Sequence, residues 1–254
     1  MKILIQKNEA SQHKIRGLKS VFEKLGHNVL TWAPFAKSAF DVFDEFEPDA
    51  LIYADKTKSM AKCLDERKNR VLTKDVNEIR LSGNTDTSDG KITAGLVCDV
   101  GTTSEWCPVN LPQWFRDRPS LNFKVCGERR LTFPQYLGAI EPKNLADFYA
   151  SSQYFLVFDG KVHDVLLAGG LPVCVGSPPR NFNMKNLYSV DFDYQIEYLL
   201  DYFRNDRQGM MARGRETVER SETYWHRASE IFYGWDIDYE GIRTIEVYNA
   251  TFKL

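Results

Sequence analysis

The chain has 254 residues, enough for one large domain or two modest ones, since single cores stop growing near about 250 residues. Its 33 basic and 35 acidic residues leave a formal charge of −2, which excludes a global field drawing it to nucleic acid or anionic membrane. With 43% hydrophobic and 13% aromatic residues, the composition also excludes extended disorder and permits a sizeable core.

"KILIQ", residues 2–6, is a short apolar run that predicts a strand. A helix follows, in which Ile15, Leu18, Val21 or Phe22, and Leu25 recur at helical spacing until Gly26 stops it. "HNVLTWA" predicts the second strand, "KSAFDVFDEF" a helix with Phe40, Phe43 and Phe46 on one side, and "DALIYAD", after Pro48, the third strand. "TKSMAKCLDERK" and "NRVLTK" add another helix and a short strand. Alternation of this kind calls for a parallel sheet with helices on both faces, because parallel strands need crossover connections.

Residues 82–91, "SGNTDTSDGK", hold only small, polar and charged side chains and read as a linker. The alternation then restarts with "ITAGLVCDVG" as strand, "LPQWFRD" as short helix, "LNFKVCG" and "PQYLGAI" as strands, "PKNLADFYASS" as helix and "QYFLVFD" as strand. "HDVLLAGGLPVCVG" is a helix ended by two glycines, with Pro172 leading into a buried strand. From about residue 191 to 232 the pattern is helical, with Ile196, Leu199, Leu200 and Phe203 followed by an Arg- and Glu-rich segment. The economical organisation is two Rossmann-like halves, a small N-terminal domain over 1–90 and a C-terminal domain over 91–254 that carries the helical tail.

Cys63, Cys98, Cys107, Cys126 and Cys174 are odd in number and form no C-x-x-C pair, which suits buried reduced thiols better than a disulfide framework or a zinc site. Only Ile3, Leu4 and Ile5 precede polar residues at the N-terminus, and no apolar run approaches ~18 residues. The expectation is a cytoplasmic protein with no signal peptide and no membrane span.

Several groups could carry chemistry. "CDVGTTSEW" places Gly101, Thr102 and Thr103 between an apolar strand and a short helix, where a phosphate would find free N–H groups and a glycine that lets it approach. An ordinary hydroxyl N-cap accounts for the same residues. Neither G-x-x-x-x-G-K-[ST] nor G-x-G-x-x-G occurs, which weakens P-loop and dinucleotide readings. "GERR" brings Arg129 and Arg130 to a strand end, where they could neutralise a diphosphate, although solvent is the simpler destination. "GKVHDVLLAGG" gathers Lys161, His163 and Asp164 at the C-terminal end of a strand, the edge where open α/β sheets bind ligands. An acid in a first helical turn also complements the helix dipole.

His13, His27, His163 and His226 are scattered, no H-E-x-x-H or G-x-S-x-G occurs, and a metal cage is not expected. Arg204, Arg207, Arg213, Arg215, Arg220 and Arg227 interleave with Asp206, Glu216, Glu219 and Glu222. Mixed signs at helical spacing read first as an ion-paired, solvated helix and second as a nucleic-acid backbone contact.

The order of residues in "LNFKVCGERRLTFPQYLGAIEPKNLADFYASSQYFLVFDGKVHDVLLAGGLPVCVG" resembles the C-terminal domain of GT-B glycosyltransferases, compact bacterial and phage members similar to the spore-coat glycosyltransferase-like family. The matching positions are Gly127, Gly138 with Ile140, Leu145 with Tyr149 and Ser152, and Gly170 with Pro172 and Val173. "ARGRETVERSETYWHRASEIF" is similar to the C-terminal helical signature of that group, and "SVFEKLGHNVLTWAP" to the opening of many members.

The resemblance implies two Rossmann-like domains facing a cleft, with a nucleotide sugar, a UDP-sugar as first expectation, bound on the C-terminal side without an obligatory metal. It gives Asp164 the ribose hydroxyls, shifted one residue from the commoner glutamate position, which falls at Val165. It gives Gly101, Thr102 and Thr103 the diphosphate, Arg129 and Lys161 its charge, with His163 beside them, and Ile140 the base. An inverting transfer needs a base near the acceptor hydroxyl; Asp55, at the end of "DALIYAD", is the first candidate and His13 the second. The acceptor is open, a modified base in phage DNA being one possibility and a protein, glycan or small molecule the others. The competing readings are a catalytically silent GT-B-like binding module and a sugar-nucleotide epimerase.

Overall fold

The structure is a computed structural model. It describes residues 1–67, 70–80, 82, 98–103, 113, 116–127, 129–132, 135–157, 162–175, 188–190 and 206–237. The chain divides into two units, one made of Met1–Ser82 and the segment beginning at Glu222, the other running from Gly83 to Ser221.

In the first unit β1 (Lys2–Gln6), β2 (Asn28–Trp32), β3 (Ala50–Tyr53) and β4 (Leu72–Asp75) form a parallel sheet in the order β2-β1-β3-β4. The crossovers carry α1 (Gln12–Lys24), α2 (Ala39–Phe46) and α3 (Lys58–Glu66). The centre of "KILIQ", Ile3 to Ile5, is apolar without alternation because β1 is covered on both faces. Ile3 and Ile5 enter one core with Ile15, Leu18 and Phe22, while Leu4, one step out of phase, enters a second with Val42, Phe43 and Met60. Phe43 is fully buried on α2, and Phe40 and Phe46 pack partly against the same core. The helix starts are set locally: Ser38 and Thr57 each accept a backbone N–H three residues on, from Asp41 and Met60.

In the second unit β5 (Cys98–Thr103), β6 (Phe123–Cys126), β7 (Ser152–Val157), β8 (Pro172–Val175) and β9 (Tyr188–Val190) form a parallel sheet in the order β6-β5-β7-β8-β9. The described helices are α4 (Pro142–Ser151), α5 (Val162–Leu167) and α6 (Arg207–Ser221). The helix-to-strand reading of residues 163–175 holds in detail. Gly169 has φ 80°, and the N–H groups of Gly169 and Gly170 bond the carbonyls of Leu166 and Val165, which closes α5 in the left-handed conformation glycine permits. Gly170 also lies where a Cβ would come within 2.7 Å of the Tyr149 carbonyl, and Pro172 opens β8, the strand position that least needs its N–H.

Three expectations are corrected and one strand is new. Residues 98–103 form a strand rather than a strand end followed by a loop. "PQYLGAI" makes an isolated bridge from Tyr136 to Val125 instead of a strand: Gln135, Leu137 and Gly138 bond the backbone of Val125 and Gly127, but Gly138 at φ 86° interrupts the extended run. β9 had no sequence expectation at all. The helical tail is split: α6 belongs to the second unit, whereas α7 (Tyr224–Gly234) belongs to the first, where Tyr224, Trp225, Ala228, Ile231 and Phe232 complete the core of Ile3, Ile5, Leu18 and Phe22. Residues 83–91 of the expected linker and the apolar positions 196–203 lie outside the described residues.

Among the described residues no helix is long and apolar enough to cross a membrane, and no group of three or more His, Cys, Asp or Glu could hold a metal. Cys63, Cys98, Cys126 and Cys174 are buried thiols; Cys107 lies outside the described residues.

Candidate functional site

Asp55 stands two residues beyond β3, exposed, at the carboxyl edge of the first sheet. Its position is fixed from β1. The Gln6 side chain is 2% exposed; its Oε1 accepts the N–H groups of Ala54 (2.7 Å) and Asp55 (2.9 Å), and its Nε2 donates to the Asp55 carbonyl (3.1 Å). A single buried amide thus satisfies three backbone groups that a strand end leaves without ladder partners. Asn8 Nδ2 then donates to Asp55 Oδ2 at 3.0 Å. Among the described residues no donor reaches the other carboxylate oxygen. A carboxylate held in this way, with one oxygen open, is equipped to take a proton from an approaching hydroxyl.

His13, in the first turn of α1, is half-buried, with Nε2 3.1 Å from the Ser82 carbonyl and its ring tilted against Tyr224 at 5.5 Å. It ties α1 to the chain leaving this unit and to α7. The sequence reading missed Gln6 and Asn8 entirely. Their signal was present, since a glutamine that ends an apolar strand and is followed within two residues by an asparagine has backbone groups of a neighbouring loop to bind.

In the second unit the parallel strands bring the end of β5, the turn after β6 and the start of α5 to one edge. Thr103, Arg129, His163 and Asp164 lie there; Lys161 lies outside the described residues. Gly101 and Thr102 do not belong to that edge. A Cβ on Gly101 would sit 2.4 Å from Ser152 Oγ and 2.9 Å from the Phe155 ring, so the glycine lets β5 and β7 close up. Thr102, 1% exposed, spends its hydroxyl on the Leu156 carbonyl at 3.0 Å. Ile140 is half-buried against the core of Cys126, Phe148 and Leu166. On α5, Val162, His163, Val165 and Leu166 are buried, and Asp164 is the half-exposed position of the first turn. Arg129 is exposed.

The buried thiols are poor nucleophiles. Burial pushes Cys98 up, against a weaker pull from Ser152 at 3.4 Å, and burial likewise raises Cys63. The arginines of the tail are engaged within the protein: Arg213 pairs with Asp206 (2.7 Å), Arg215 with Glu219 (2.7 Å) and Arg220 with Glu216, while Arg207 donates to the carbonyls of Gln153 and Ser152. Arg204 lies outside the described residues.

Known structures share this architecture. The glycosyltransferase SnogD from Streptomyces nogalater matches with a TM-score of 0.53 at 10% identity, over 91% of this chain and 99% of its own. Spinosyn forosaminyltransferase SpnP matches at 0.54 and 9% identity, over 92% and 99%. A UDP-N-acetylglucosamine 2-epimerase matches at 0.51 and 12% identity, over 92% and 96%. The fold is therefore GT-B, two Rossmann-like units with parallel sheets. No family model matches the sequence, and no curated protein matches it significantly.

Proposed function

We propose that the protein transfers a sugar from a nucleotide-sugar donor, first among them a UDP-sugar, to an acceptor hydroxyl. The observation that carries this reading is Asp55, an exposed carboxylate at a sheet's carboxyl edge, its backbone clamped by buried Gln6 and one oxygen held by Asn8, on a fold shared with glycosyltransferases. Asp55 takes the acceptor proton. His13 acts through structure, holding Ser82. On the donor side Asp164 receives the ribose hydroxyls, and its helix is seated by buried His163. Arg129 and Lys161 offset diphosphate charge, Ile140 flanks the base, and of the β5 trio only Thr103, the last residue of the strand, keeps an assignment to the phosphates. No metal is assigned to the transfer.

The paired arginines of α6 leave little for a phosphate backbone, which favours a small hydroxylated molecule or a glycan over duplex DNA as acceptor. Should DNA be bound after all, its affinity will fall steeply with salt. An epimerase is the second reading, favoured by the 2-epimerase that shares the fold.

Incubation with a panel of nucleotide sugars and hydroxylated acceptors, read by mass spectrometry, tests the proposal. Transfer product supports it, isomerised donor replaces it with the second reading, and binding without turnover makes the chain a silent module. Asp55→Asn should lower kcat by roughly 10²- to 10⁴-fold with donor affinity unchanged. Asp164→Ala should weaken nucleotide binding by roughly 1 to 3 kcal/mol in a calorimetric titration, and unchanged affinity removes it from the site.

A further inference from the structure

A cavity of about 230 Å³ opens within the first unit, between the end of β4 and the C-terminal turn of α7, lined by Thr73, Lys74, Asp75, Glu78, Glu230 and Trp235 among others. Drug-sized sites run to roughly 300–1,000 Å³, so this one suits a guest no larger than a single ring with its substituents. Two of its three carboxylates are ion-paired. Lys74 pairs with Glu78 at 2.6 Å, and Glu230 lies 2.9 Å from both Arg80 and Arg227, of which Arg227 is fully buried. Asp75 caps the turn after β4 through Asn77 N–H at 2.8 Å and lies near enough to Lys14 for its charge to be felt there.

A cationic guest would have to compete with Lys74, Arg80 and Arg227 for two of the three carboxylates, and an anionic one would meet three carboxylates against one lysine. A neutral guest meets neither obstacle. Each paired carboxylate keeps lone pairs that can accept further O–H donors, and such bonds are charge-assisted. Trp235 supplies the apolar surface. Its indole N–H is spent on the Thr73 carbonyl at 3.0 Å, and its ring meets Phe232 edge-on at 6.0 Å, so the indole is held in place at the cavity wall.

We propose that this cavity is a monosaccharide site, in which a neutral sugar gives its hydroxyls to the carboxylates and Thr73 and lays a C–H face against Trp235. The site is separate from nucleotide binding and does not depend on the transferase reading. Small neutral polyols of the right size are the chemistry that matches a wall rich in acceptors, with most of its charge paired and with the aromatic side chains of Tyr53 and Trp235 in its lining.

Saturation-transfer NMR on the full chain with D-glucose and with N-acetyl-D-glucosamine, each with and without UDP, tests the proposal. Transfer to ring protons that persists with UDP present is the expected result. Glu78→Gln, which keeps the shape and removes the charge, and Thr73→Val, which keeps the branched strand residue, should each weaken binding, and Trp235→Ala should do so by about tenfold. No transfer from either sugar in the millimolar range overturns the site. So does transfer abolished by UDP, which puts the sugar in the nucleotide site, or binding unchanged in both Glu78→Gln and Trp235→Ala. If Trp235→Ala fails to fold, Glu78→Gln decides. Sugar binding that resists UDP in a protein without donor turnover would leave this inference standing and the transferase reading fallen.

Discussion

In the first unit the polar side chains that leave solvent join segments far apart in sequence: Gln6 reaches Asp55, His13 reaches Ser82, and Arg227 sits with Glu222 and Glu230 beside Arg80. In the second unit Thr102 makes the same kind of link, reaching the Leu156 carbonyl on the adjacent strand, while Ser151 and Ser152 stay local, both on the Phe148 carbonyl. Absent side chains bring closeness in both units: a Cβ on Gly17 of the first would overlap the Tyr224 ring, and one on Gly101, Gly170 or Gly214 of the second would meet a neighbour at 2.4, 2.7 or 2.5 Å. The difference lies in where the long-range links go: in the first unit Gln6 also presents a residue at the sheet edge, whereas in the second Thr102 joins two strands and the edge is left to the loops and helix starts.

The strongest way to break this comparison is Arg227→Ala. It leaves Glu222 and Glu230 to Arg80 alone and empties a fully buried side-chain volume, and should cost about 2 to 3 kcal/mol in urea unfolding, below a fully broken buried pair because Arg80 remains and Glu230 is 54% exposed. Arg227→Met should restore much of that loss, and a cost below about 1 kcal/mol would mean that α7 is held by its aromatic packing alone. In the second unit Gly101→Ala should cost about 1 to 3 kcal/mol in thermal or urea unfolding, since Ser152 must move while keeping its bond to Phe148. Thr102→Val tests the hydroxyl joints: leaving the Leu156 carbonyl without its donor should cost about 1 kcal/mol.

The smallest expected effect is a pH dependence in the first unit. Burial, and secondarily the N-terminal ammonium, hold His27 below 6.5. The unfolded chain therefore binds the extra proton first as pH falls through 6.5, and stability present above that value is lost below it until the folded pKa is reached. Urea midpoints measured on either side of 6.5 should show this slope in the natural chain and lose it in His27→Gln.

Elements whose pattern is local were legible in the sequence. β1 to β4 and α1 to α3 follow from apolar runs, helical periodicity and the stops at Gly26 and Pro48, and the Schellman-type end of α5 follows from its two glycines. Membership was not legible. The Arg- and Glu-rich pattern continues from α6 to α7, and the break at Glu222 and Thr223 shows only in the Thr223 N-cap position, so periodicity could not say that the second helix returns to the first core. The site was half legible. The positions of Asp55 past a strand end and of Asp164 in a first helical turn were readable, whereas Gly101 and Thr102, expected in a phosphate loop, lie within a strand, because a glycine in a tightly packed strand looks the same in sequence as one in a turn. Gln6 escaped because its partners lie about fifty residues away.

The return of α7 to the first unit sets a timetable for synthesis. Ile3, Ile5, Leu18 and Phe22 leave the ribosome early, but Tyr224, Trp225 and Phe232, which cover them, are made only after the whole of Gly83–Ser221. At about 5 to 20 residues per second, that face of the nascent sheet waits on the order of ten seconds for its cover, an interval in which a holding chaperone has something to grip. A fragment ending near residue 90 would carry the same bare face permanently and should aggregate. The unit translated first is the unit completed last.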